Sequence, residues 1–291
     1  VVDIVTNTWS QSNSILQGAY YRLLGHIAIC NQYLSNTAGA TDIESVKLRS
    51  EARVLRAYSY YNMLDLFGQS SFTTEETLGE DPVQISRKDL FDWLEKELKE
   101  IVDGQLIAET PVYGRVGLDG AEGLLARLYL NAEVFSGEAR WEDCQKRCEN
   151  IIARHQGGGY KGSGLAENYL YLFSAGNEKY MPGGGNKAEN EILFGIAYDA
   201  TMTQNYGGST FVLAATISNT HYCVRQNYGC SAEWSCIRGI SQMAERFYGL
   251  NNDVRDDLWL RGKLPAGVIT DAQGKPVLDA DGNEQKFDAE D

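Results

Sequence analysis

The chain has 291 residues, of which 43% are hydrophobic and 11% aromatic, so it can bury a sizeable core and is not a disordered polymer. Its 40 acidic residues outnumber its 26 basic residues and give a formal net charge of −14. Because no basic stripe offsets this charge, phosphate backbones and anionic lipid headgroups would be repelled. Composition and charge therefore argue against nucleic acid as a partner.

The patterning of the chain changes near residue 156. Residues 1–156 show repeated helical periodicity with short connections, whereas residues 157–291 are richer in glycine and lose that periodicity. We expect a helical scaffold over 1–156 and a loop-rich, ligand-side portion of the same unit over 157–291. The predicted fold class is mainly all-α, with tetratricopeptide-like helical hairpins, a loop-rich face and minor β-hairpin content.

Apolar residues that recur every three or four positions predict five helices in the first part. The predicted helices cover residues 14–34, 41–67, 86–104, 118–135 and 141–153. Thr41 and Glu44 fit a capping box at the start of the second helix, and Gly68 is placed to end it. Ser86 is predicted to cap the third helix. Short connections indicate that neighbouring helices pack antiparallel.

The second part offers weaker patterns. Residues 191–198 are apolar and predict either a short strand or a buried extended segment. A short helix is predicted over 240–248 and a hairpin over 269–288, with a turn at Gly274 and a tight polar turn after it. Because this hairpin pattern breaks off near residue 291, we expect the sequence to be a piece of a longer protein.

Six cysteines are too few for a disulfide framework in a chain of this length. Cys144 and Cys148 lie four residues apart on a predicted helix, which favours two small buried side chains over a bridge. A second group could in principle hold zinc, although it lacks a tight Cys-x-x-Cys pair and buried thiols are the favoured interpretation. That group consists of His221, Cys223, Cys230 and Cys236. No metal site and no cofactor are predicted.

Sequence motifs give no support to an enzyme. The chain contains no Gly-x-Ser-x-Gly elbow, no His-Glu-x-x-His and no phosphate-binding Walker sequence. The glycine pattern at 157–162 follows a helix instead of a strand, so it cannot build a dinucleotide cradle. A glycoside hydrolase needs two carboxylates that flank a cleft, and the acidic pairs at 75–76 and 256–257 have no supporting context.

Several segments resemble the SusD/RagB family of nutrient-binding lipoproteins on the surface of Bacteroidetes. The strongest is Leu48-Arg-Ser-Glu-Ala-Arg-Val-Leu-Arg-Ala-Tyr-Ser-Tyr-Tyr-Asn-Met-Leu-Asp-Leu-Phe-Gly68, which is similar to a scaffold helix of that family. Four further matches follow the family's order: Ile27-Ala-Ile-Cys-Asn31, Gly114-Arg115 with the helix to Leu130, Asn190-Glu-Ile-Leu-Phe194, and Trp234 with Phe247 and Asp253-Val-Arg255.

The resemblance implies a non-catalytic protein with a helical scaffold and a loop-rich face that binds oligosaccharide, or peptide in some relatives. It implies delivery of that ligand to a SusC-like TonB-dependent transporter in the outer membrane. Family members are longer and are held at the cell surface by a lipid anchor on an acylated cysteine, which this sequence does not show. Membrane association is therefore expected only through that anchor.

Sugar recognition requires aromatic faces that stack on pyranose rings, with polar groups beside them. The candidate ligand-binding residues are Trp234, Trp9, Asn13, Tyr228, Tyr222 and Tyr206. Trp9 has an equally good alternative as a wedge between the first helix and the scaffold, and Trp259 is expected to be structural. Glu51, Arg53 and Arg56, and likewise Asp253 with Arg255, are predicted to form ion pairs that hold the fold.

Two functional hypotheses remain open from the sequence. One is a glycan-binding protein, and the other is a helical-repeat protein that binds peptide or protein ligands. Exposed aromatic residues near amides favour sugar, whereas an open groove lined by aliphatic residues would favour peptide.

Overall fold

The computed structural model describes two main stretches of the chain, 2–155 and 191–198, together with shorter pieces. The shorter pieces are 169–173, 202, 208–216, 234, 236–237, 242, 245–246, 253, 255, 267–268, 275–276, 278, 281–284 and 286–287. The chain divides into two compact units. The first comprises Val1–Leu165 with Asn186–Ala197, and the second comprises Ala166–Gly185 with Tyr198–Asp291.

The first unit is a set of helices joined by short connections, which confirms the predicted fold class. Its helices are α1 (Val2–Val5), α2 (Ser14–Asn36), α3 (Ile43–Phe67), α4 (Arg87–Asp103), α5 (Leu118–Leu130), α6 (Ala132–Ser136) and α7 (Trp141–His155). Helices α2, α3, α4 and α5 pack on one another in chain order, and α7 packs on α5. Neighbours run antiparallel: His26 and Tyr20 on α2, for example, meet Ser59 and Phe67 on α3.

Most helix ends follow the predicted capping residues. Ser86 caps α4 by accepting a hydrogen bond from the Asp89 amide, and Gly68 ends α3 with φ of 74°. The predicted capping box at Thr41 is wrong by one position. Asp42 is the cap, and its carboxylate accepts a hydrogen bond from the Ser45 amide at 3.0 Å. A carboxylate suits this position because it also faces the positive end of the helix dipole.

The helix predicted over residues 118–135 is broken in the structure. It stops at Leu130, and Asn131 takes a non-helical conformation with φ of −106° and ψ of 12° before α6 begins. The Asn131 side chain donates from Nδ2 to the Arg127 carbonyl at 3.3 Å. Such a local hydrogen bond offers the backbone an alternative to the helical ladder, which explains why the break falls at an asparagine.

A small antiparallel sheet lies in the connection between α3 and α4. Strand β1 (Ser70–Phe72) pairs with β2 (Val83–Ile85), with Ser70 opposite Ile85. The Tyr60 hydroxyl fixes the end of β1 because it donates to the Thr73 carbonyl at 2.8 Å and accepts from the Thr73 amide at 2.9 Å. A buried tyrosine on α3 therefore anchors the hairpin to the scaffold.

Buried side chains from α2 to α6 form one hydrophobic core in the first unit. Its fully buried side chains include Ile27, Leu34, Tyr60, Met63, Leu64, Leu90, Leu94, Leu98, Ile101, Leu125, Leu128 and Tyr129. Trp93 packs edge-on against both Tyr60 and Phe72, with ring centroids 5.2 Å apart in each pair. This aromatic group ties α3, α4 and β1 together.

Residues 191–198 cross α5 without forming a strand, so the strand interpretation is wrong. Phe194 is half-buried, and its ring meets that of Tyr58 edge-on at 6.4 Å between centroids. Gly120 on α5 permits this approach, since a Cβ there would lie 3.1 Å from the Phe194 Cβ. The segment is not buried throughout either, since residues 193 and 196–198 are exposed.

The described residues of the second unit include α8 (Gly208–Thr216), a short 3₁₀ helix at Tyr169–Phe173 and two strands. Strand β3 (Gly267–Val268) pairs antiparallel with β4 (Lys286–Phe287), and Leu278 pairs with Glu284 across a turn in which Gly282 has φ of 81°. Gly274 and most of the helix predicted over 240–248 lie outside the described residues. Among the helices that the structure describes, none has the length and apolarity needed to cross a membrane.

Candidate functional site

Trp234 sits at the C-terminal end of α8. The last carbonyl groups of a helix have no partner within the helix, and residues 234, 236 and 237 supply partners here. The Trp234 amide donates to the Ala214 carbonyl at 2.9 Å, and the amides of Cys236 and Ile237 both donate to the Ala215 carbonyl at 2.9 Å. These three hydrogen bonds fix the backbone that carries the indole.

The indole of Trp234 is supported on one side and open to solvent on another. Its ring centroid lies 5.7 Å from that of Phe211, with the planes inclined by 59°, and 41% of the residue is exposed. Ala214 and Ala215 beneath it are buried. A fixed, partly exposed aromatic face is the element that stacks on a sugar ring.

Sequence reasoning missed α8 and the supporting role of Phe211. Helical periodicity is weak in this region, and the nine-residue helix is too short for a clear pattern. The one sequence feature that indicated it is the apolar run Phe211-Val-Leu-Ala-Ala215.

Trp9 and Asn13 lie together in the first unit, ahead of α2. Trp9 is 49% exposed, which a stacking platform requires. The Asn13 side chain caps α2, because its Oδ1 accepts from the Ile15 amide at 3.0 Å and from the Leu16 amide at 3.2 Å. The Asn13 oxygen is thus committed to the helix, and Nδ2 is the atom that would donate to a ligand.

The other three predicted ligand residues, Tyr206, Tyr222 and Tyr228, lie outside the described residues. Trp259, which was expected to be structural, lies outside them too. Trp141, which was not among the predicted ligand residues, begins α7 and is 52% exposed. It is a third exposed tryptophan among the described residues.

The ion pairs predicted to hold the scaffold are present. Arg53 donates from Nη2 to Glu97 Oε1 at 2.9 Å, and Glu51 receives Arg115 Nε at 2.9 Å. In the second unit Arg255 binds Asp253 at 2.5 Å, and this hydrogen bond holds the pKa of Asp253 at about 2. The first two contacts join α3 to α4 and to the segment before α5, whereas the Asp253–Arg255 pair is a local surface contact between residues two apart.

A buried acidic pair on α5 was not predicted. Asp119 and Glu122 are 4% and 1% exposed and lie three residues apart on one helix face. Arg154 donates to Asp119 Oδ1 at 2.8 Å and to Glu122 Oε2 at 2.5 Å, and His155 Nε2 lies 2.9 Å from Asp119 Oδ2. Since both carboxylates are enclosed by α7 side chains, this pair joins two helices and does not face a substrate cleft.

The expectation that the helical cysteines are both buried is wrong. Cys144 is half-buried and Cys148 is exposed, because α7 packs on α5 with one face and leaves the other open. Cys236 is also exposed, which contradicts a buried thiol there. His221, Cys223 and Cys230 lie outside the described residues. Within the residues that the structure describes, no group of three or more His, Cys, Asp or Glu side chains is placed to hold a metal ion.

Known proteins resemble this chain in sequence and in fold. No protein-family model matches the chain. The chain is 32% identical over 290 residues to the starch-binding protein SusD of Bacteroides thetaiotaomicron; the match covers 100% of this chain and 48% of that protein. The chain therefore spans about half the length of this curated relative.

Two solved structures share the fold. A crystal structure with xylogluco-oligosaccharide has a TM-score of 0.66 at 19% identity and covers 85% of this chain and 47% of that chain. Another crystal structure has a TM-score of 0.64 at 20% identity and covers 84% of this chain and 46% of that chain. These two structures show the fold, and the sequence match to SusD over the whole of this chain supports membership of the SusD/RagB family.

Proposed function

We propose that this chain binds oligosaccharide and does not cleave it. The observation that carries the proposal is the indole of Trp234, which α8 and Phe211 hold in place with 41% of the residue exposed. Membership of the SusD/RagB family supports a carbohydrate ligand, since the matched relative is a starch-binding protein and a structural relative was solved with a xylogluco-oligosaccharide.

The physical properties of the Trp234 platform suit a neutral sugar. Its backbone is already fixed by a hydrogen bond to α8, so little conformational entropy is lost when a ligand stacks on it. The net charge of −14 does not oppose a ligand that carries hydroxyl groups and no charge.

Trp9 and Asn13 provide a second candidate contact, in the first unit. The Trp9 indole would stack on a sugar, and Asn13 Nδ2 would donate to a hydroxyl group while Oδ1 stays on the helix cap. Tyr206, Tyr222 and Tyr228 remain predicted ligand residues of the second unit.

The absence of catalysis is part of the proposal and rests on how the acidic groups are used. Asp119 and Glu122 are clamped by α7, and Glu75 is paired with Arg56. A glycosidase would need one carboxyl group to stay protonated at the substrate and another to face the sugar. A glycan incubated with the protein should therefore stay intact, and new reducing ends would contradict this proposal.

As part of a longer protein, the chain would act at the cell surface and pass its glycan to a SusC-like TonB-dependent transporter in the outer membrane, with attachment through a lipid anchor. This extension follows from the family resemblance. Its test is purification of the full-length protein from native outer membranes: a TonB-dependent transporter should co-purify with it, and a soluble protein without that transporter would overturn this extension.

Calorimetric titration tests the binding site. Xyloglucan oligosaccharides, malto-oligosaccharides and a peptide digest would be titrated into the chain and into Trp234→Ala and Trp9→Ala. Trp141→Ala is a matched control, since its indole is 52% exposed against 49% for Trp9. We expect sugar affinity to fall at least about tenfold in Trp234→Ala and to persist in the control.

The outcomes separate the hypotheses. Sugar binding that survives Trp234→Ala and Trp9→Ala would place the site elsewhere, and binding of peptide alone would favour the helical-repeat alternative. Circular dichroism and thermal unfolding of each variant would show whether lost affinity reflects lost fold.

A further inference from the structure

Two thiols lie one helical turn apart on α7, outside the proposed glycan contacts. Cys144 and Cys148 are four residues apart, so one turn of helix brings their side chains together. Neither is in a disulfide; Cys148 is exposed, and Cys144 is half-buried against the edge of the core. Burial raises the pKa of the Cys144 thiol, and the neighbouring Cys148 thiol adds to this rise.

The turn that carries this pair is braced on both flanks. Gln145 donates from Nε2 to Glu149 Oε1 at 2.7 Å, and Arg147 donates to Asp103 at 2.6 Å and thereby ties the same turn to α4. Because the helix backbone is held in this way, the spacing of the two Cβ atoms is set before any ligand arrives.

Helix geometry disfavours a disulfide between these cysteines. Side chains at positions i and i+4 have Cβ atoms about 5–6 Å apart, whereas a disulfide needs about 3.5–4.5 Å. A bridge would therefore distort the turn that Arg147 and Gln145 hold. A single atom bound between the two sulfurs spans the longer distance without moving the backbone.

The number and type of ligand atoms determine which metal ion this pair of thiols can bind. Zinc in structural sites takes four ligands, and the residues that the structure describes bring no group of three His, Cys, Asp or Glu side chains together at this point. Two thiolates alone suit soft ions that accept a low coordination number, of which Cu⁺ is the biological example. Lys146, which is exposed in the same turn, offsets part of the negative charge that the thiolates would add.

We propose that Cys144 and Cys148 form a two-thiolate binding site for a soft monovalent ion of the Cu⁺ class. On binding, two S–H bonds break and two S–Cu bonds form, both protons pass to solvent, and the oxidation state of the ion does not change. The site is independent of the proposed glycan site, since Trp9, Asn13 and Trp234 take no part in it. It lies on the surface of a regular helix.

The test is an oxygen-free titration with Cu⁺ in competition with a chromogenic chelator of known affinity. The full chain would carry Cys223→Ser, Cys230→Ser and Cys236→Ser, so that only Cys30, Cys144 and Cys148 remain. We expect one Cu⁺ to be taken up per chain, with release of close to two protons and a thiolate-to-metal absorbance band in the ultraviolet.

Further substitutions in this triple serine variant test whether Cys144 and Cys148 are the two ligands. Cys144→Ser and Cys148→Ser should each abolish uptake, whereas Cys30→Ser, which alters a buried thiol on α2, should leave it unchanged. Cys148→Met retains a soft sulfur at an exposed position and should keep weakened uptake without loss of fold. Failure of the background protein to take up Cu⁺, or uptake that survives Cys148→Ser, would overturn the proposal.

Discussion

Arg56 on α3 and Glu97 on α4 form an ion pair inside the scaffold: Arg56 Nη2 donates to Glu97 Oε2 at 3.1 Å, and only 2% of the Arg56 side chain is exposed. The same guanidinium donates to Asn31 Oδ1 at 2.7 Å and to Glu75, and it lies 5.2 Å from the centre of the Trp93 ring. One buried cation thus joins three helices and the turn that follows β1, so loss of one acidic partner leaves the buried charge less fully compensated.

Glu97→Gln is expected to lower the free energy of unfolding by about 2–4 kcal/mol, because Arg56 and Arg53 both lose a charged acceptor in a site nearly closed to solvent. Urea unfolding followed by circular dichroism measures this change. The control is Asp92→Asn, which removes the exposed ion pair with Lys88 on the surface of α4 and should leave the unfolding midpoint in place. Equal effects in the two variants would contradict the account of a buried clamp.

The same carboxylate predicts a pH dependence. Burial alone would raise the pKa of Glu97, but the hydrogen bonds and charges of Arg53 and Arg56 outweigh burial and hold that pKa below its ordinary value of 4.5. A depressed acid pKa stabilises the fold above the unfolded value, and this contribution is lost as the pH falls through the folded value. The stability gap between the wild-type chain and Glu97→Gln should therefore be full at pH 7 and shrink below about pH 4.5. A gap of constant size from pH 7 to pH 3 would show that the charge of Glu97 is not the source.

Two glycines give a matched pair of substitutions with opposite expected signs. A Cβ at Gly120 would lie 2.9 Å from Val116 Cγ2 and 3.1 Å from Phe194 Cβ, so Gly120→Ala should push residues 191–198 off α5 and cost about 1–3 kcal/mol. A Cβ at Gly25, inside α2, would meet nothing within 4 Å, so Gly25→Ala should stabilise the helix by up to about 1 kcal/mol. Chemical denaturation measures both, and hydrogen exchange at 191–198 should quicken only in Gly120→Ala. Stabilisation by Gly120→Ala would refute the close approach.

Helices were predictable where local chemistry determines them. The periodic apolar residues of α4, with Ser86 before it and Gly104 after it, define its limits without reference to the rest of the fold. The ends of α3 were equally clear except for the choice between Thr41 and Asp42, since both are good capping residues next to each other in the chain. The family motifs in residues 48–68 added the scaffold to which these helices belong.

The parts that failed depend on distant contacts. Strands β1 and β2 have three residues each and owe their position to the Tyr60 hydroxyl, which lies on another element. Phe211 and Trp234, whose rings are in contact, are more than twenty positions apart in the sequence. One face of α7 is exposed because no other described element packs on it. Sequence patterns assign a side chain to a helix face, but they do not show whether another element covers that face.

The use of arginine side chains for the ion pairs between helices has a practical consequence for handling the protein. Among the residues that the structure describes, the ion pairs between different helices are made by arginine side chains and His155, whereas the described lysine ion pair, Lys88 with Asp92, stays within α4. Reagents that acylate primary amines therefore spare the contacts between helices. Dyes or resins coupled through lysine would leave an immobilised scaffold with its helix packing in place, ready for ligand capture from mixtures of glycans.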